Sequence, residues 1–370
     1  MDQELPSAAA ANVLPCSNCG ASLRFTPNVG RLTCATCGTV NEAPIVTDAA
    51  RDEARAELDY ASQLRALSGT SEAMTALVVT CPQCGAQTQF AASVVASTCA
   101  FCATPLMSVV SRTEQRIKPR GIVPFVLEST RAQDVFREWI RGRWFAPNAL
   151  KRTVHAVDGV RGVYLPCWTF DAQTISSYSG ERGIDRQVSE TRINSNGQSE
   201  TVTHTETDWF PAHGTVHVPF DDTLIPASNS VPPELADVLQ GWDISRLEPY
   251  TDAYVAGFTV EAYQLALEPA FEKARAAFDA GIVAAIQHDI GGNHQRIHDV
   301  QSQYDAVTFK HLLLPAWICS YQFGGTSWRV VVNGQTGNIK GDRPWSAWKI
   351  GFTVLCVTAV LLWAWVLSQQ

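Results

Sequence analysis

Eight of the eleven cysteines fall into two sets with the same spacing, and no other feature constrains this chain as tightly. The first set is Cys16, Cys19, Cys34 and Cys37, and the second is Cys81, Cys84, Cys99 and Cys102. Both read C-x2-C-x14-C-x2-C, one residue below the usual zinc-ribbon interval of roughly 15 to 20. The sets repeat at a period of 65 residues, and CGASLRF after one knuckle matches CGAQTQF after its counterpart. Two residues between cysteines make a tight turn that aims both thiolates at one ion. A second turn completes a tetrahedron of thiolates with Zn–S near ~2.3 Å. Gly20, Gly38 and Gly85 follow the knuckles, where a left-handed backbone is often needed. Ala103 holds the fourth such position, which predicts a looser turn there. Phe25 and Phe90 are placed to cover the sites.

Modules this small bury too little apolar surface to fold alone, so metal binding supplies much of their folding free energy. The expected cofactor is Zn2+, as two structural ions. Iron in a rubredoxin-like site is the main rival, and disulfides rank below it. A catalytic zinc is disfavoured, because cysteine takes all four positions and none is left for water. The opening stretch MDQELPSAAAANVL is acidic and has no basic start followed by an apolar run, so it does not read as a secretory signal. Paired cysteines outside a secreted protein point to metal rather than to disulfides.

A length of 370 residues suggests two to three domains, and 46% hydrophobic residues suffice for a real core. The net charge of -8 and a pI near 5.5 make the whole chain a poor partner for phosphate backbones. Residues 16–40 carry only Arg24 and Arg31 as charges, and residues 81–110 carry none. Nucleic-acid binding by the ribbons therefore ranks second among the functions considered. No G-x4-G-K-[ST] or helix-opening G-x-G-x-x-G is present, so an ATP-driven motor has no support.

Residues 350–367, IGFTVLCVTAVLLWAWVL, carry no charge and predict a membrane-spanning helix. Trp345 and Trp348 flank one end and Trp363 and Trp365 the other, as in an interfacial aromatic belt. Lys340, Arg343 and Lys349 precede the segment and no basic residue follows it, which predicts a cytoplasmic N-terminal bulk on a single-pass inner-membrane anchor. The competing reading is a buried helix of a soluble core. Cys356 reads as a small apolar residue.

Residues 48–67 predict a charged spacer helix, capped by Thr47 or Asp48 and stopped at Gly69. GIVPFV (121–126) reads as a strand, followed by a helix capped by Ser129 or Thr130 with Val135, Phe136, Trp139 and Ile140 on one face. Residues 153–218 alternate as strands, with Asn196-Gly197 as a hairpin signal. A helical region spans about 249–288, with Tyr263, Leu267, Phe271, Phe278, Ile282 and Ile286 on its buried side and Pro269 kinking it or opening a new helix. Strands return in HLLLPAWICSYQF and SWRVVVNGQTGNI, where Asn333-Gly334 and Thr336-Gly337 signal turns. Leu165-Pro166-Cys167-Trp168 recurs as Leu314-Pro315-Ala316-Trp317, which suggests a duplicated helix-plus-sheet unit.

His288, His294 and His298, beside Asp289 and Asp299, are the main catalytic candidates, and His213 and His217 form another pair. The bland reading, polar surface and cap residues, is preferred. Gly291-Gly292 argues for a helix end, although H-x3-H in a strand does place both rings on one side. Cys167 and Cys319 read as buried packing, and Asp221-Asp222 as a loop.

With these motifs placed, the chain resembles a bacterial family of membrane-anchored zinc-ribbon proteins of the TFIIB type. The resemblance rests on the double ribbon, YLPCWTFDAQTISSYSGERG (164–183), VPFDDTLIPAS (218–228), DIGGNHQRIH (289–298), HLLLPAW (311–317) and VNGQTGNIKGDRPWSAWKI (332–350). Members are often labelled primosomal protein N′ or superfamily II helicases. The chain is also similar to zinc-ribbon membrane proteins encoded beside flotillin-type (SPFH) and phage-shock proteins in Gram-positive bacteria. That resemblance implies a membrane-bound adaptor that recruits such proteins under envelope stress, and no enzymatic activity.

The expected architecture is multidomain α+β. It runs from a disordered N-terminus (1–12) through zinc ribbon one (13–46), a helical spacer (47–75) and zinc ribbon two (76–110). An α+β domain (116–345) follows, divided into repeats at 116–230 and 245–345, and then the transmembrane helix (350–367). The expected function is a scaffold for protein partners on the bilayer, with tethered nucleic-acid binding and an enzyme using His288–His298 as alternatives.

Overall fold

The computed structural model describes residues 14–27, 29–42, 45–67, 73–90, 96–107, 111–153, 160–193, 199–231 and 241–368. The expectations for 1–12, for Gly69 and for Asn196-Gly197 lie outside the described residues. The chain is α+β, with two four-cysteine clusters, a large sheet-based body and one apolar C-terminal helix.

The body is organised on one strand, Val160–Ile193, whose 34 residues extend on the order of 110 Å. Ser199–Pro226 pairs with it antiparallel along one edge, from Ser199 opposite Ile193 to Pro226 opposite Cys167. His294–Phe323 pairs antiparallel along the other edge, from His294 opposite Gly183 to Cys319 opposite Val160. The burial pattern explains the length. From Val163 to Phe170 every residue is buried, as in a strand covered on both faces. From Ala172 to Gly180 burial alternates, with Thr174, Ser176 and Tyr178 covered and Gln173, Ser177 and Ser179 open. Past Gly183 the third strand ends, and residues 184–193 and 199–208 continue as a two-stranded arm.

The helix Leu267–Ile290 covers one face of this ribbon. Leu267, Phe271, Ala274, Phe278, Ile282, Ile286 and Ile290 recur nearly every fourth residue and are all buried. Phe278 stacks on Phe220 of the ribbon at 4.3 Å, and Tyr178 Oη donates to Asp289 Oδ2 at 2.6 Å. Pro269 lies in the first turn, where its missing N–H costs nothing, so it opens the helix rather than kinking it. The helix is shorter than the region predicted from 249. The short helix Asp252–Val255 and the strand Thr259–Glu261 occupy part of the remainder, and Tyr263 precedes the long helix.

The two recurring tetrapeptides are cross-strand neighbours, with Leu165 opposite Leu314. Around that point the contacts come in matched pairs. Gly121–Ile122 pairs parallel with Leu312–Leu313, and Thr259–Val260 pairs parallel with Val163–Tyr164. Trp168 Nε1 donates to Leu265 O at 2.9 Å, just before the long helix, and Trp317 Nε1 donates to Leu127 O at 3.0 Å, just before the helix Ser129–Arg141. Ala227 N donates to Pro166 O, and Gly334 N to Pro315 O. Each half lends a short strand to the other half's long strand.

Three local expectations need correction. The stretch 48–67 is two helices, Asp48–Arg55 and Tyr60–Leu67, because Leu58–Asp59 pairs with Phe309 and Thr308 of the sheet. Thr47 caps the first helix, accepting from Ala50 N at 3.2 Å. This segment is not a free spacer, since Arg51 binds Glu248 at 3.0 Å and Arg120 reaches Glu53 O at 2.7 Å. The N-cap position of the helix Ser129–Arg141 is Glu128, whose side chain makes no capping bond, so neither Ser129 nor Thr130 caps it. Asp221 and Asp222 lie within the strand Ser199–Pro226, beside a bulge at Phe170/Ala172, and not in a loop.

The C-terminal helix is Ala347–Ser368, with a mean hydropathy of 2.3 over its most apolar window, and none of that window is buried in the protein. Its 22 residues span about 33 Å, long and apolar enough to cross a membrane. Thr353 and Thr358 return their hydroxyls to backbone carbonyls one turn back, at 2.8 and 3.0 Å.

Candidate metal centres

Each cysteine set closes into a cage. In both sets the four sulfurs lie within 4.8 Å of one another. The Cys16–Cys37 and Cys19–Cys34 edges are 3.7 and 3.6 Å, and Cys81–Cys102 and Cys84–Cys99 are 3.5 and 3.6 Å. A tetrahedron with metal–sulfur bonds of ~2.3 Å has edges of about 3.8 Å, so the residues present fit a tetrathiolate metal ion. A disulfide needs ~2.05 Å, and all eight thiols are free.

The knuckles form as local backbone chemistry requires. Gly20, Gly38 and Gly85 have φ of 73, 72 and 75°, and each amide bonds the carbonyl four residues back. Ala103 adopts φ 64° and makes the equivalent bond to Cys99 O at 3.0 Å, so the fourth turn is no looser than the others. The price is a side chain held in a left-handed conformation.

Two threonines complete the cages. Thr39 Oγ1 lies 3.1 Å from Cys37 Sγ, and Thr104 Oγ1 lies 3.1 Å from Cys102 Sγ. Hydroxyl and amide bonds from Thr39 pull the Cys37 thiol down to about 6. Burial opposes the same effect at Cys102, but Thr104 still brings that thiol down to about 7. Burial pushes Cys84 up to about 11. Four thiolates cannot share one cage until a cation offsets their repulsion, and a metal does that. The signal was present in the sequence as C-x-T at equivalent positions of both ribbons, Cys37–Thr39 and Cys102–Thr104.

The ribbons are held differently. Leu23–Thr26, Arg31–Cys34 and Val40–Asn41 form a separate three-stranded sheet. The second ribbon's Gln87–Phe90 pairs with both Ala73–Thr80 and Val260–Glu261, which joins it to the main sheet. Phe25 and Phe90 are both buried, each in an apolar cluster that includes cysteines of its own cage.

The histidines do not converge. His288 is exposed in the last turn of the long helix. His294 contacts Asp185 at 3.2 Å, and His298 faces Glu181 at 3.8 Å. The two rings share one strand face, since exposure alternates regularly from His294 to His298, but four strand residues span about 13 Å and each ring sits beside a different carboxylate. His213 and His217 stand four apart on an exposed strand face. Cys167 and Cys319 are fully buried, and burial pushes both thiols up, away from nucleophilic use.

A third acidic group, Glu57, Asp171, Asp221 and Asp222, was not anticipated. Lys310 Nζ sits 3.1 Å from Glu57 and 2.7 Å from Asp222. Burial works against the Glu57 carboxylate, yet bonds from Asp171, Thr308 and Lys310 hold it down at about 2. Burial and the neighbouring Glu57 push Asp171 up to about 7. The Lys310 ammonium already supplies the cation here, so the group reads as an internal ion network that ties Glu57 to the sheet.

Fold and sites together define a protein with two four-cysteine clusters able to hold metal ions, on an α+β body with a long apolar C-terminal helix. No family model matches the chain, and no solved structure matches it. It is 25% identical over 342 residues to the uncharacterized protein YdjG of Bacillus subtilis (strain 168), across 90% of this chain and 91% of that one.

Proposed function

We propose that this protein is a membrane-anchored scaffold whose two cages hold structural zinc and whose surfaces recruit protein partners on the cytoplasmic side of the inner membrane. The observation that carries the reading is the pairing of two closed four-sulfur cages with a helix that has no burial inside the protein. A closed cage leaves no site for water or substrate and serves shape rather than chemistry. An apolar helix of about 33 Å with no protein cover needs lipid around it. Its hydroxyls bond their own backbone, as a bilayer requires.

We read the two-stranded arm beyond Gly183 as part of the docking surface. Ile193 and Val202 are exposed on it, at 76% and 41%. We read the matched contacts around Leu165 and Leu314 as the product of a duplication. Flotillin-type or phage-shock proteins are the partner class that the sequence resemblance implies.

Proximity labelling from the full-length chain in cells tests the scaffold. Enrichment of membrane-stress or flotillin-type proteins is the expected outcome, and recovery of only lipid and self contacts would sink the proposal. Metal analysis of the purified chain should return about two zinc ions.

A further inference from the structure

At the base of the C-terminal helix, two segments distant in sequence are tied together. Ser346 N donates to Phe145 O at 2.9 Å. Lys349 Nζ donates to Trp144 O and Ala146 O at 2.9 Å and to Asn148 Oδ1 at 2.8 Å. Arg343 lies within electrostatic reach of Arg143 and Lys151, and Lys151, whose Nζ donates to Arg141 O at 2.9 Å, within reach of Lys349, which its three oxygen partners already occupy. None of these four cations forms an ion pair among the described residues, and Asp342, next to Arg343 in the chain, does not pair with it.

The cluster also carries unused donors. Arg343 Nη1 and Trp139 Nε1 are buried without hydrogen-bond partners. The Arg343 guanidinium lies 4.4 Å over the Trp345 ring and that of Arg143 4.9 Å over Trp139, which orients both forks. Burial and the nearby Arg143 hold Arg343 below its usual range, and burial with Lys349 and Arg343 does the same to Lys151. Like charges assembled this way are unfavourable until an anion joins them. Trp144, Trp345 and Trp348 surround the cluster, exposed at 69, 60 and 81%.

We propose that Arg143, Lys151 and Arg343 form a binding site for the phosphate of an anionic phospholipid headgroup. The proposal rests on the membrane reading of the helix, because insertion from Ala347 onward sets this cluster at headgroup depth. The exposed tryptophans suit the same layer, where amphipathic rings collect. Guanidinium forks match phosphate oxygens. Three charges drawn from two parts of the chain, with orphaned donors between them, make a built site and go beyond a run of basic residues.

The test is full-length protein in nanodiscs of phosphatidylcholine mixed with phosphatidylglycerol, with retained lipid identified by native mass spectrometry after detergent extraction. The wild type should retain phosphatidylglycerol well above its bilayer fraction. Each of Arg143→Gln, Lys151→Gln and Arg343→Gln should cut that preference about fivefold. Arg343→Lys should keep most of it, and the distant Arg246→Gln should leave it unchanged, which controls for folding. A triple variant that retains phosphatidylglycerol like the wild type overturns the site. Displacement by inorganic phosphate as effectively as by lipid also overturns it, since the ligand is then a free anion. If the wild type stays in the membrane yet takes both lipids equally, only the headgroup site fails. If the chain stays out of the bilayer, both the anchor and the site fail.

Discussion

The two cages share a spacing and nearly the same sulfur–sulfur edges, yet they meet the rest of the molecule in different ways. The first ribbon has a sheet of its own and leaves Cys19 and Cys37 exposed. It packs on the body all the same: Cys16, Leu23, Phe25, Leu32 and Cys34 share one apolar cluster with Tyr164, Leu313 and Trp317, and Phe25 N donates to Ala256 O at 2.9 Å. The second ribbon shares strands with the large sheet, and Cys81 and Cys99 join the same apolar cluster as Leu165, Leu312 and Leu314. Arg161 and Ser320 bond the carbonyls of Cys99 and Phe101. One motif thus docks once by side-chain packing, keeping a sheet of its own, and once by sharing strands with the main sheet. Metal in the first should couple to the body more weakly than metal in the second.

The largest expected effect separates the two directly. Structural zinc supplies about 10–16 kcal/mol to isolated zinc-finger peptides. Cys99→Ser should therefore lower the unfolding midpoint of the whole body and speed amide exchange in Ala73–Thr80 and Thr259–Glu261. Cys34→Ser should confine faster exchange to residues 14–42. Equal loss in both variants, read by hydrogen-exchange mass spectrometry, breaks the contrast.

A medium effect sharpens it. Glu261 lies opposite Thr88 of the second ribbon, is fully buried, and burial pushes its carboxyl up to about 7. In the unfolded chain it titrates near ~4.3, so between these values the folded state holds the proton longer. Stability should then fall as pH rises from about 4.3 to about 7, by at most about 4 kcal/mol. Glu261→Gln should flatten that slope in urea titrations at about pH 5 and about pH 8. A variant with the wild-type slope would move the cause elsewhere.

The smallest effect compares matched turns. Ala103 pays for a left-handed conformation that Gly38 adopts freely. Ala103→Gly should stabilise the second ribbon by about 1 kcal/mol and Gly38→Ala destabilise the first by a similar amount, seen as opposite shifts in thermal midpoint. Neither site crowds the new atoms, since a Cβ at Gly38 would meet nothing within 4 Å.

Both cages could be read from the sequence because their ligands sit in short turns, where spacing alone aims the thiolates. Thr39 and Thr104 went unread although C-x-T stands in both copies. The buried face of Leu267–Ile290 was legible from its recurrence every fourth residue, and the alternation of 153–218 pointed to strands. The break after Arg55 was not legible, because pairing of Leu58–Asp59 with the sheet overrode a helical stripe that runs on through Ala61 and Leu64. His294 and His298 do share one strand face, as their spacing implied, but the distance along the strand and their separate carboxylate partners were not legible. Lys310 and its carboxylates come from four separate stretches, and no local pattern announces them.

What the chain by itself determined are features written within a turn or two: eight sulfur ligands, the apolar side of one long helix, and an uncharged stretch near the C-terminus. Tertiary structure alone decided that the second ribbon joins the core, that each half's short strand pairs with the other's long one, and that Trp144 and Lys349 meet across 205 residues. The physical reason is that knuckles and helix faces follow from bonded geometry and period. Long-range pairing depends on which register buries the most apolar surface, after the loop-closure entropy of bringing distant segments together has been overcome.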